Sequence, residues 1–232
     1  MFDVQCSAFV VSSFVMKSLF ITFEGTEGCG KSTQIELLGK TLRVLGYRVH
    51  MLREPGGTPV GEEIRHTLKH SKANIAMTPE TELLLVNASR AQLVREIIRP
   101  ALTVGEVVLC DRFYDSTTAY QGYGRGLDLP LVKSVIDFAV GDTRPDLTLF
   151  LHVPPEVSAE RLLSRQSTLP FIRDRMEEGD KNFFARVAGG YEAIAAAEPN
   201  RVRVVDGAGP IDVVCAKIWE CVQPILPRVG RW

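Results

Sequence analysis

The chain has 232 residues, enough for one large domain or two small ones with a substantial hydrophobic core. Charged residues make up 24% and hydrophobic residues 45%, as in an ordinary globular protein, and the net charge of −1 argues against binding of nucleic acid through bulk electrostatics. The five cysteines are scattered without any CxxC spacing, which indicates reduced thiols in a cytoplasmic protein and argues against a disulfide framework or a zinc site.

The first 16 residues, MFDVQCSAFVVSSFVM, form an apolar run that fits neither a secretory signal nor a membrane span. The run contains Asp3, has no basic start and is interrupted by serines. Because the first predicted strand begins near Ser18, Met16 is a candidate for the true initiator. We therefore expect residues 1–16 to be an extension, either dispensable or ordered as an arm, and residues 17–232 to form one domain.

Strands and helices are predicted to alternate along the rest of the chain. A run rich in β-branched and aromatic residues, SLFITFEG, predicts a strand, and the apolar spacing of STQIELLGKTLRVLGY predicts a helix that stops at Gly46. A second strand, YRVHML, is followed by a glycine- and proline-rich loop, REPGGTPVG. A long helix is predicted from Pro79 to Gly105, with a kink or a break at Pro100.

The second half of the chain continues the alternation. The predicted elements are a strand EVVLCDR, a strand DLTLFLHV, a helix end with a basic segment ERLLSRQSTLPFIRDRMEE, a helix DKNFFARVAGGYEAIAAA, a strand RVRVVDG and a helix IDVVCAKIWECVQPIL. Strands that alternate with helices imply a parallel sheet covered on both faces, so the predicted fold is a single α/β domain.

Residues 25–33, GTEGCGKST, match the spacing G-x-x-x-x-G-K-[ST] between a predicted strand and a predicted helix. Glycines in such a loop let backbone N–H groups converge on phosphate oxygens, and the N-terminus of the following helix adds partial positive charge. In this interpretation Lys31 reaches the β- and γ-phosphates of a nucleotide, and the Ser32 hydroxyl is a ligand of Mg²⁺. The residues predicted to bind the nucleotide are Gly25, Thr26, Glu27, Gly28, Cys29, Gly30, Lys31, Ser32 and Thr33.

Charged residues also stand at the ends of two other predicted strands. Asp111 ends the apolar run VVLC, where a protein with this loop needs an acid to organise Mg²⁺, and Arg112 follows at once. Arg53 stands at the end of the second strand. Because the carboxyl ends of parallel strands meet at one edge of a sheet, both arginines are expected near the phosphate-binding loop. Their forked guanidinium groups suit a monophosphate, which indicates a second phosphorylated substrate.

The segments FEGTEGCGKST, REPGGTP, SRAQ, CDRFYDSTTAYQGYGRG and RDRMEE have the order and spacing found in bacterial thymidylate kinases, so the chain from Lys17 onward resembles that family. The resemblance implies a P-loop nucleoside monophosphate kinase, a three-layer sandwich built on a five-stranded parallel sheet. It implies transfer of the γ-phosphoryl group of MgATP to thymidine 5′-monophosphate (dTMP), which gives the diphosphate and ADP for dTTP biosynthesis. It further implies a cytoplasmic homodimer with a mobile lid at about residues 164–178.

The resemblance also assigns roles in the acceptor site. Arg53 and Arg112 correspond to arginines that clamp the acceptor phosphate. Arg90 corresponds to an arginine that hydrogen-bonds the thymine ring, and Thr117 and Gln121 match contacts to the base edge or to its pocket.

Three further positions concern the sugar and the face of the base. Tyr120 matches an aromatic ring that packs against the deoxyribose and disfavours a 2′-hydroxyl, and Glu27 matches an acid that faces the 3′-hydroxyl of the acceptor. Val86 departs from the family pattern, which has a stacking aromatic residue four positions before Arg90. Either an aliphatic contact replaces that ring, or another ring such as Phe113 supplies the contact.

The phosphate-binding loop has no arginine, although some family members carry one there to stabilise the transferred phosphoryl group. The segment SRQSTLPFIRDR has the proline and polar character of a lid and supplies Arg165, Arg173 and Arg175. Arg173 and Arg175 are therefore predicted to contact ATP, and a solvated basic surface is the alternative. The residues predicted to act in catalysis are Lys31, Glu27, Arg112 and Arg175.

Two rival functions stay open. A kinase for another nucleoside monophosphate, such as dUMP, would share most of these residues, and a P-loop switch protein would share the phosphate-binding loop. A switch protein needs neither a second phosphate clamp nor a basic lid, so ADP formation that depends on an added monophosphate separates the two classes. Nucleic acid and membranes are not expected as partners.

Overall fold

The computed structural model describes residues 18–166 and 181–227. The predicted extension at residues 1–16 and the greater part of the predicted lid, including Arg173 and Arg175, lie outside these residues. Within them, strands and helices alternate along the chain as the sequence predicts.

Five parallel strands form the central sheet in the order β2–β3–β1–β4–β5. Their bounds are β1 Leu19–Glu24, β2 Val49–Arg53, β3 Val107–Asp111, β4 Leu147–His152 and β5 Val202–Asp206. Every pairing between them is parallel, which confirms the predicted α/β fold. β1 lies in the middle of the sheet, and all six of its residues are buried.

The helices connect and cover these strands. Their bounds are α1 Lys31–Val44, α2 Pro59–Lys69, α3 Pro79–Leu93, α4 Arg99–Thr103, α5 Tyr114–Thr117, α6 Leu129–Val140, α7 Pro155–Gln166, α8 Lys181–Ala197 and α9 Ile211–Val222. Two π-helical turns, Val94–Ile98 and Thr118–Gly124, follow α3 and α5, and 3₁₀ turns lie at Lys72–Ala76 and Gln223–Ile225. In residues 18–166 and 181–227, none of the helices has both the length and the hydropathy of a membrane-spanning segment.

Side chains that alternate along β1 supply a hydrophobic core on each face of the sheet. Leu19, Ile21 and Phe23 point to one face and pack in a cluster with residues of α1 and α9. Phe20 points to the opposite face and joins a cluster with residues of α3 and α6. The molecule is therefore a three-layer α/β/α sandwich, as the resemblance implied.

The long helix predicted in the first half of the chain is divided near Pro100, as expected. α3 gives way to a π-helical turn at Val94–Ile98, and α4 begins at Arg99. Proline lacks an N–H and clashes with the preceding turn of a helix, so it is accommodated at the start of a new helical segment.

Several elements differ from the sequence-based expectation. The predicted loop REPGGTPVG is shorter, because its last residues Pro59–Gly61 begin α2, a helix that the sequence analysis did not predict, as it did not predict the short α5. The Thr58 Oγ1 atom accepts a hydrogen bond of 3.0 Å from the Gly61 N–H, and Pro59 takes the first helical position, where its missing N–H leaves no bond unmade. α6 has no counterpart among the predicted elements, although Asp128 caps it by accepting a hydrogen bond from the Leu131 N–H.

Candidate active site

The carboxyl ends of three strands bring charged side chains to one edge of the sheet. Asp111, at the end of β3, is paired in register with Arg53 of β2 on one side and with Phe23 of β1 on the other. The phosphate-binding loop follows β1 directly and leads into α1. The predicted convergence of the loop, Arg53 and Arg112 at one edge is therefore found.

Two adjoining cavities open at this edge. The loop cavity is lined by Glu27, Gly28, Gly30, Lys31, Ser32, Arg53, Glu54, Arg65, Lys69, Asp111 and Arg112. The inner cavity is lined by Glu27, Glu54, Pro55, Lys69, Val86, Arg90, Arg112, Ser116, Thr117, Tyr120 and Gln121. The two cavities share Glu27, Glu54, Lys69 and Arg112, so they adjoin at these four residues.

The backbone of the phosphate-binding loop depends on glycine at two positions. Gly25 has a φ of +139°, and a Cβ atom there would lie 2.6 Å from the Leu151 carbonyl oxygen and 2.9 Å from the Cys29 Sγ atom. Gly30 has a φ of +99° immediately before α1. Of the nine loop residues predicted to bind the nucleotide, Cys29 is buried and fills space beneath the loop. Gly25, Thr26 and Thr33 also lie outside the lining of the loop cavity.

Lys31 lies at the floor of the loop cavity and is buried. Its Nζ atom donates to the Thr26 carbonyl at 2.9 Å and to the Gly25 carbonyl at 3.1 Å, and it lies 3.5 Å from the Cys29 Sγ atom. Burial and the charge of Arg112 act to lower the pKa of Lys31, but the negative groups around it outweigh them and raise it. Lys31 is therefore a cation held at the place predicted for the β- and γ-phosphates.

The predicted metal ligands are in direct contact. The Ser32 hydroxyl donates a hydrogen bond of 2.9 Å to the Asp111 carboxylate, and both residues line the loop cavity. No cluster of three or more His, Cys, Asp or Glu side chains suited to a metal occurs in the described part of the chain. A hydroxyl and one carboxylate fit Mg²⁺, because this ion takes few protein ligands and completes its shell with water and phosphate oxygens.

Glu27 and Arg112 form an ion pair at the boundary between the two cavities. The Arg112 Nη2 atom donates to the Glu27 Oε1 atom at 2.6 Å. Burial alone would raise the pKa of Glu27, but Arg112 and Lys31 more than offset this and lower it to about 2. The carboxylate within a phosphate-binding loop is thus a stable anion, because a buried guanidinium neutralises it.

Three contacts hold the Arg112 side chain besides Glu27. Its Nη1 atom donates to the Ser116 hydroxyl and to the Tyr191 hydroxyl, each at 3.2 Å, and its guanidinium lies over the Tyr120 ring at 5.1 Å. The Arg112 backbone has a φ of +68°, a left-handed conformation that is uncommon outside glycine. Such strain is often kept where it places a functional side chain, and here it turns Arg112 from the strand end into the cavities.

Glu24 ends β1 behind this arginine and is fully buried. Its carboxylate accepts hydrogen bonds from the Phe113 N–H at 2.8 Å, from the Ser116 hydroxyl at 2.6 Å and from the Tyr191 hydroxyl at 3.0 Å. Burial, and secondly the charge of Asp115, raise the pKa of Glu24 to about 7 against the opposing effects of Ser116 and Arg112. The two hydroxyls that hold Arg112 are therefore themselves held by Glu24.

Arg53 is more exposed and is held by α2. Its Nη2 atom donates to the Glu62 carboxylate at 3.0 Å, and its Nη1 atom to the Pro55 carbonyl at 3.3 Å. The side chain is 48% exposed and lines the loop cavity beside Arg112, but it does not line the inner cavity.

Every base- and sugar-contacting residue named by the resemblance lies in the wall of the inner cavity. They are Val86, Arg90, Thr117, Tyr120 and Gln121. The wall also carries two buried polar atoms without a hydrogen-bond partner among the described residues, the Glu54 Oε1 atom and the Tyr120 hydroxyl. Unsatisfied polar atoms in a cavity wall are what a polar ligand requires.

Arg90 is held by four hydrogen bonds and an ion pair to protein groups. Its Nε atom donates to Glu54 at 2.8 Å, and its Nη1 atom donates to Asn87 at 2.8 Å and to the Thr117 hydroxyl at 2.9 Å. Its Nη2 atom donates to the Phe113 carbonyl at 3.2 Å and lies 2.7 Å from a Glu54 carboxylate oxygen in the ion pair. Four of the five guanidinium hydrogens therefore have acceptors in the protein, so a bond to the base would use the remaining Nη2 hydrogen or be shared with one of these acceptors.

Of the two alternatives for the missing stacking ring, the geometry favours the aliphatic contact. Val86 lines the inner cavity, whereas Phe113 does not. Phe113 is fully buried in the core, with its ring edge-on to Phe20 at 5.0 Å. The ring therefore lies beneath the wall of the cavity.

Several residues of the site escaped the sequence analysis. Glu54 and Pro55 directly follow Arg53, and an acid so close to a strand end was a usable signal. Glu24 gave a similar signal, because it closes an otherwise apolar strand. Tyr191 had no such signal in the sequence, since it contacts Arg112 from a helix 79 positions away. Arg165 lies in the last turn of α7, and the roles predicted for the three lid arginines stay predictions.

Comparisons with known proteins agree with this geometry. Residues 23–218 match a family model described as thymidylate kinase. The chain is 47% identical over 214 residues to a thymidylate kinase of Syntrophotalea carbinolica, which covers 92% of this chain and 99% of that protein. A thymidylate kinase of Thermomicrobium roseum is likewise 47% identical over 214 residues, with 92% and 99% covered. A crystal structure of a thymidylate kinase from Ehrlichia chaffeensis has a TM-score of 0.72 and 32% identity, covering 89% of this chain and 99% of that one.

Proposed function

Because the chain belongs to the thymidylate kinase family, we propose that it transfers the γ-phosphoryl group of ATP to dTMP and releases ADP and thymidine 5′-diphosphate. One observation carries the proposal most directly. The Glu27–Arg112 pair lines both the loop cavity and the inner cavity, so one cation faces the donor and the acceptor at once. A kinase needs such a junction, and a protein that only hydrolyses ATP does not.

On the donor side, the N-terminus of α1 and the loop N–H groups bind the triphosphate. Lys31 gives up its weakest contact, the 3.5 Å approach to Cys29, and donates to the β- and γ-phosphate oxygens. Ser32 and Asp111 would hold Mg²⁺, which when bound offsets negative charge on these phosphates. The stretch between Gly25 and Lys31 contains no arginine.

On the acceptor side, Arg112 and Arg53 hold the phosphate of dTMP in line with the γ-phosphate. An oxygen of the acceptor phosphate attacks the γ-phosphorus, and the bond to the β–γ bridging oxygen of ATP breaks. Glu27 keeps Arg112 in place and accepts a hydrogen bond from the 3′-hydroxyl of the sugar. Tyr120 packs against the deoxyribose, and Val86 contacts the face of the base.

We further propose that the residues after α7 close over the donor as a lid and that Arg175 stabilises the transferred group, with Arg173 and then Arg165 as the next candidates. The proposal is supported by the absence of arginine from the phosphate-binding loop and by the basic, proline-containing sequence SRQSTLPFIRDR.

We also propose a cytoplasmic homodimer that does not need residues 1–16. The four cysteines among the described residues are free thiols, as in a reducing compartment. Large apolar side chains are exposed on α3 and α6, which pack against each other. The family match begins at residue 23, after the extension.

The proposed function is tested by measuring ADP formation from MgATP with dTMP, dUMP, dCMP, thymidine or no acceptor. A Lys31→Ala protein prepared in parallel reports contaminating kinases. We expect rapid ADP formation with dTMP, slower formation with dUMP, and background with thymidine or without acceptor. Equal ADP formation without any acceptor would support the switch-protein alternative, and a preference for dUMP would identify a different monophosphate kinase.

A further inference from the structure

A buried ion pair lies behind the base-binding wall of the inner cavity. Glu82 of α3 is only 1% exposed and receives hydrogen bonds from the Arg125 Nε atom at 3.2 Å and the Arg125 Nη2 atom at 3.0 Å. Arg125 in turn lies over the Phe183 ring at 4.6 Å. Glu82, Val86 and Arg90 are spaced four residues apart on α3, so they share one face of the helix.

The same carboxylate receives a hydrogen bond from Gln121 in the cavity wall. The Gln121 Nε2 atom donates to the Glu82 Oε1 atom at 2.7 Å. A carboxylate ion-paired with arginine can only accept hydrogen bonds, so it selects the orientation of the Gln121 amide in which the NH₂ group faces Glu82. The amide oxygen Oε1 then points away from Glu82, and the bond to Glu82 is the one side-chain hydrogen bond that Gln121 makes with residues 18–166 and 181–227.

A donor stands in the same wall. The Thr117 Oγ1 atom accepts from the Arg90 Nη1 atom at 2.9 Å, which leaves its hydroxyl hydrogen without an acceptor in the described part of the chain. Arg90 itself already donates to Glu54, Asn87, Thr117 and the Phe113 carbonyl. The wall therefore presents an acceptor on Gln121 and a donor on Thr117.

We propose that Glu82, held by Arg125, is a positioning residue that fixes the Gln121 amide and thereby makes the site select bases with an N3–H group against cytosine. The inference rests on the proposed function, because it concerns the base of the same acceptor. Thymine and uracil offer an N3–H donor beside an O4 acceptor, which complements Gln121 Oε1 and Thr117. Cytosine offers an N3 lone pair beside an amino donor. Its N3 acceptor would face the Gln121 oxygen and its amino donor would face the Thr117 hydroxyl hydrogen, so these polar groups would be buried unpaired.

The test compares kcat/KM for dTMP and dCMP in Glu82→Gln with the wild type and with Arg125→Lys. In Glu82→Gln an uncharged amide can either accept from or donate to Gln121, so Gln121 can turn and offer its NH₂ group to cytosine N3. We expect the preference for dTMP over dCMP to fall about tenfold or more, the equivalent of one lost hydrogen bond. Arg125→Lys disturbs the same buried cluster but keeps the carboxylate, so its preference should stay near that of the wild type.

Where dCMP turns over too slowly, its inhibition constant against dTMP replaces kcat/KM. An unchanged preference in Glu82→Gln would overturn the inference, as would an equal loss in Arg125→Lys, because the effect would then come from packing. N3-methyl-dTMP tests the wild type directly and needs no variant to fold. We expect it to bind at least tenfold more weakly than dTMP, and equal binding would also overturn the inference. A wild type that phosphorylates dTMP but fails these tests leaves the proposed function intact, whereas one that does not use dTMP refutes the function itself.

Discussion

Two nearby glutamates, one at the end of β1 and one in the loop that follows it, show how strongly local surroundings decide the charge of a carboxyl group. Glu27 is paired with Arg112 and Lys31, which hold its pKa near 2 although burial opposes them. Glu24 lies three positions earlier, is buried among hydroxyl and N–H groups and faces Asp115, so its pKa is raised to about 7. Glu27 is thus suited to bind a cation or a hydroxyl at any physiological pH, whereas Glu24 changes its charge near neutrality.

The raised pKa of Glu24 predicts a pH dependence of stability. The folded state holds this proton more tightly than the unfolded state, whose pKa is near the ordinary 4.5, so the stabilisation is fully present below pH 4.5 and is lost as the pH rises through 7. The loss is on the order of 3 kcal/mol. We expect the free energy of unfolding of Glu24→Gln, measured in urea between pH 4.5 and 8, to increase relative to that of the wild type as the pH rises. A difference that stays constant over this range would contradict the assignment.

Replacing either arginine of the acceptor-phosphate clamp should impair the use of dTMP much more than the binding of ATP. Arg112→Ala and Arg53→Ala each remove charge-assisted hydrogen bonds to the acceptor phosphate, so kcat/KM for dTMP should fall by about 100-fold in Arg112→Ala and by less in the more exposed Arg53→Ala. The dissociation constant of ATP, measured by calorimetry, should change by less than about threefold in Arg53→Ala. In Arg112→Ala it should rise more, because Glu27 loses its partner beside the phosphate-binding loop, but by much less than kcat/KM for dTMP falls. Arg48→Ala is the matched control, because this exposed arginine directly precedes β2, at the other end of the strand. If ATP binding fell while the dTMP dependence stayed intact, the two sites would be reversed.

α2 connects the strand edge to the rest of the site through its first turn. Glu62 accepts a hydrogen bond from the Gly57 N–H at 2.7 Å and another from Arg53 at 3.0 Å. The hydrogen bond from the Gly57 N–H has the largest influence on the pKa of Glu62 and lowers it. Burial acts to raise this pKa, but Arg53 also lowers it, so the net shift is downward. The start of this helix thus fixes both the loop after β2 and one acceptor clamp.

The capping hydrogen bond of Thr58 should therefore be measurable as stability. Thr58→Ala removes the acceptor of the Gly61 N–H and should lower the free energy of unfolding by about 1 kcal/mol. Thr58→Ser keeps the oxygen and should lose only a small part of that amount. Urea unfolding of the three proteins decides the matter, and equal stability of the alanine and serine variants would show that the cap contributes nothing.

The proposed lid gives a prediction of a different kind. Arg175→Ala should lower kcat by about 1,000-fold while the dissociation constant of dTMP changes little, because the contact forms mainly as charge develops on the transferred group. Arg173→Ala and Arg165→Ala serve as comparisons, with smaller losses expected. Wild-type kcat in all three variants would mean that the positive charge comes from elsewhere.

Local pattern predicts the elements of this chain better than it predicts their contacts. The five strands and the phosphate-binding loop follow from short apolar runs and glycine spacing. α6 was not predicted, because Asp128 and Pro130 directly follow a glycine-rich run and are as typical of a loop as of the start of a helix. The Glu24–Tyr191 and Glu82–Gln121 hydrogen bonds join distant segments, and nothing in the local pattern of either segment encodes them.

For the whole molecule, exposed apolar side chains mark the face on which we expect a second copy. Phe138 of α6 is 84% exposed and Leu84 of α3 is 60% exposed, and these helices pack against each other on one face of the sheet. Exposed apolar residues on neighbouring helices are typical of an interface between subunits.

The oligomeric state tests this expectation. Light scattering should give the wild type about twice the 25.7 kDa of one chain. Leu84→Asp combined with Phe138→Asp should give a monomer, because charges would be buried without partners at the interface. Ile211→Asp changes an equally exposed residue of α9, on the opposite face of the sheet, and should leave the dimer intact. A monomeric wild type, or a dimeric double variant, would contradict the assignment of this face.

The central place of β1 has a consequence for how the chain acquires its fold. β1 pairs only with β3 and β4, and the hydrogen bond between the Thr22 and Thr148 hydroxyls spans 126 positions of sequence. Pairings between such distant segments form slowly, because a long stretch of chain must be ordered first. During synthesis the strand that carries the phosphate-binding loop must therefore wait, with both edges unpaired, for segments that leave the ribosome much later. A chain that stops before β4 exposes an apolar strand edge of the kind that starts aggregation.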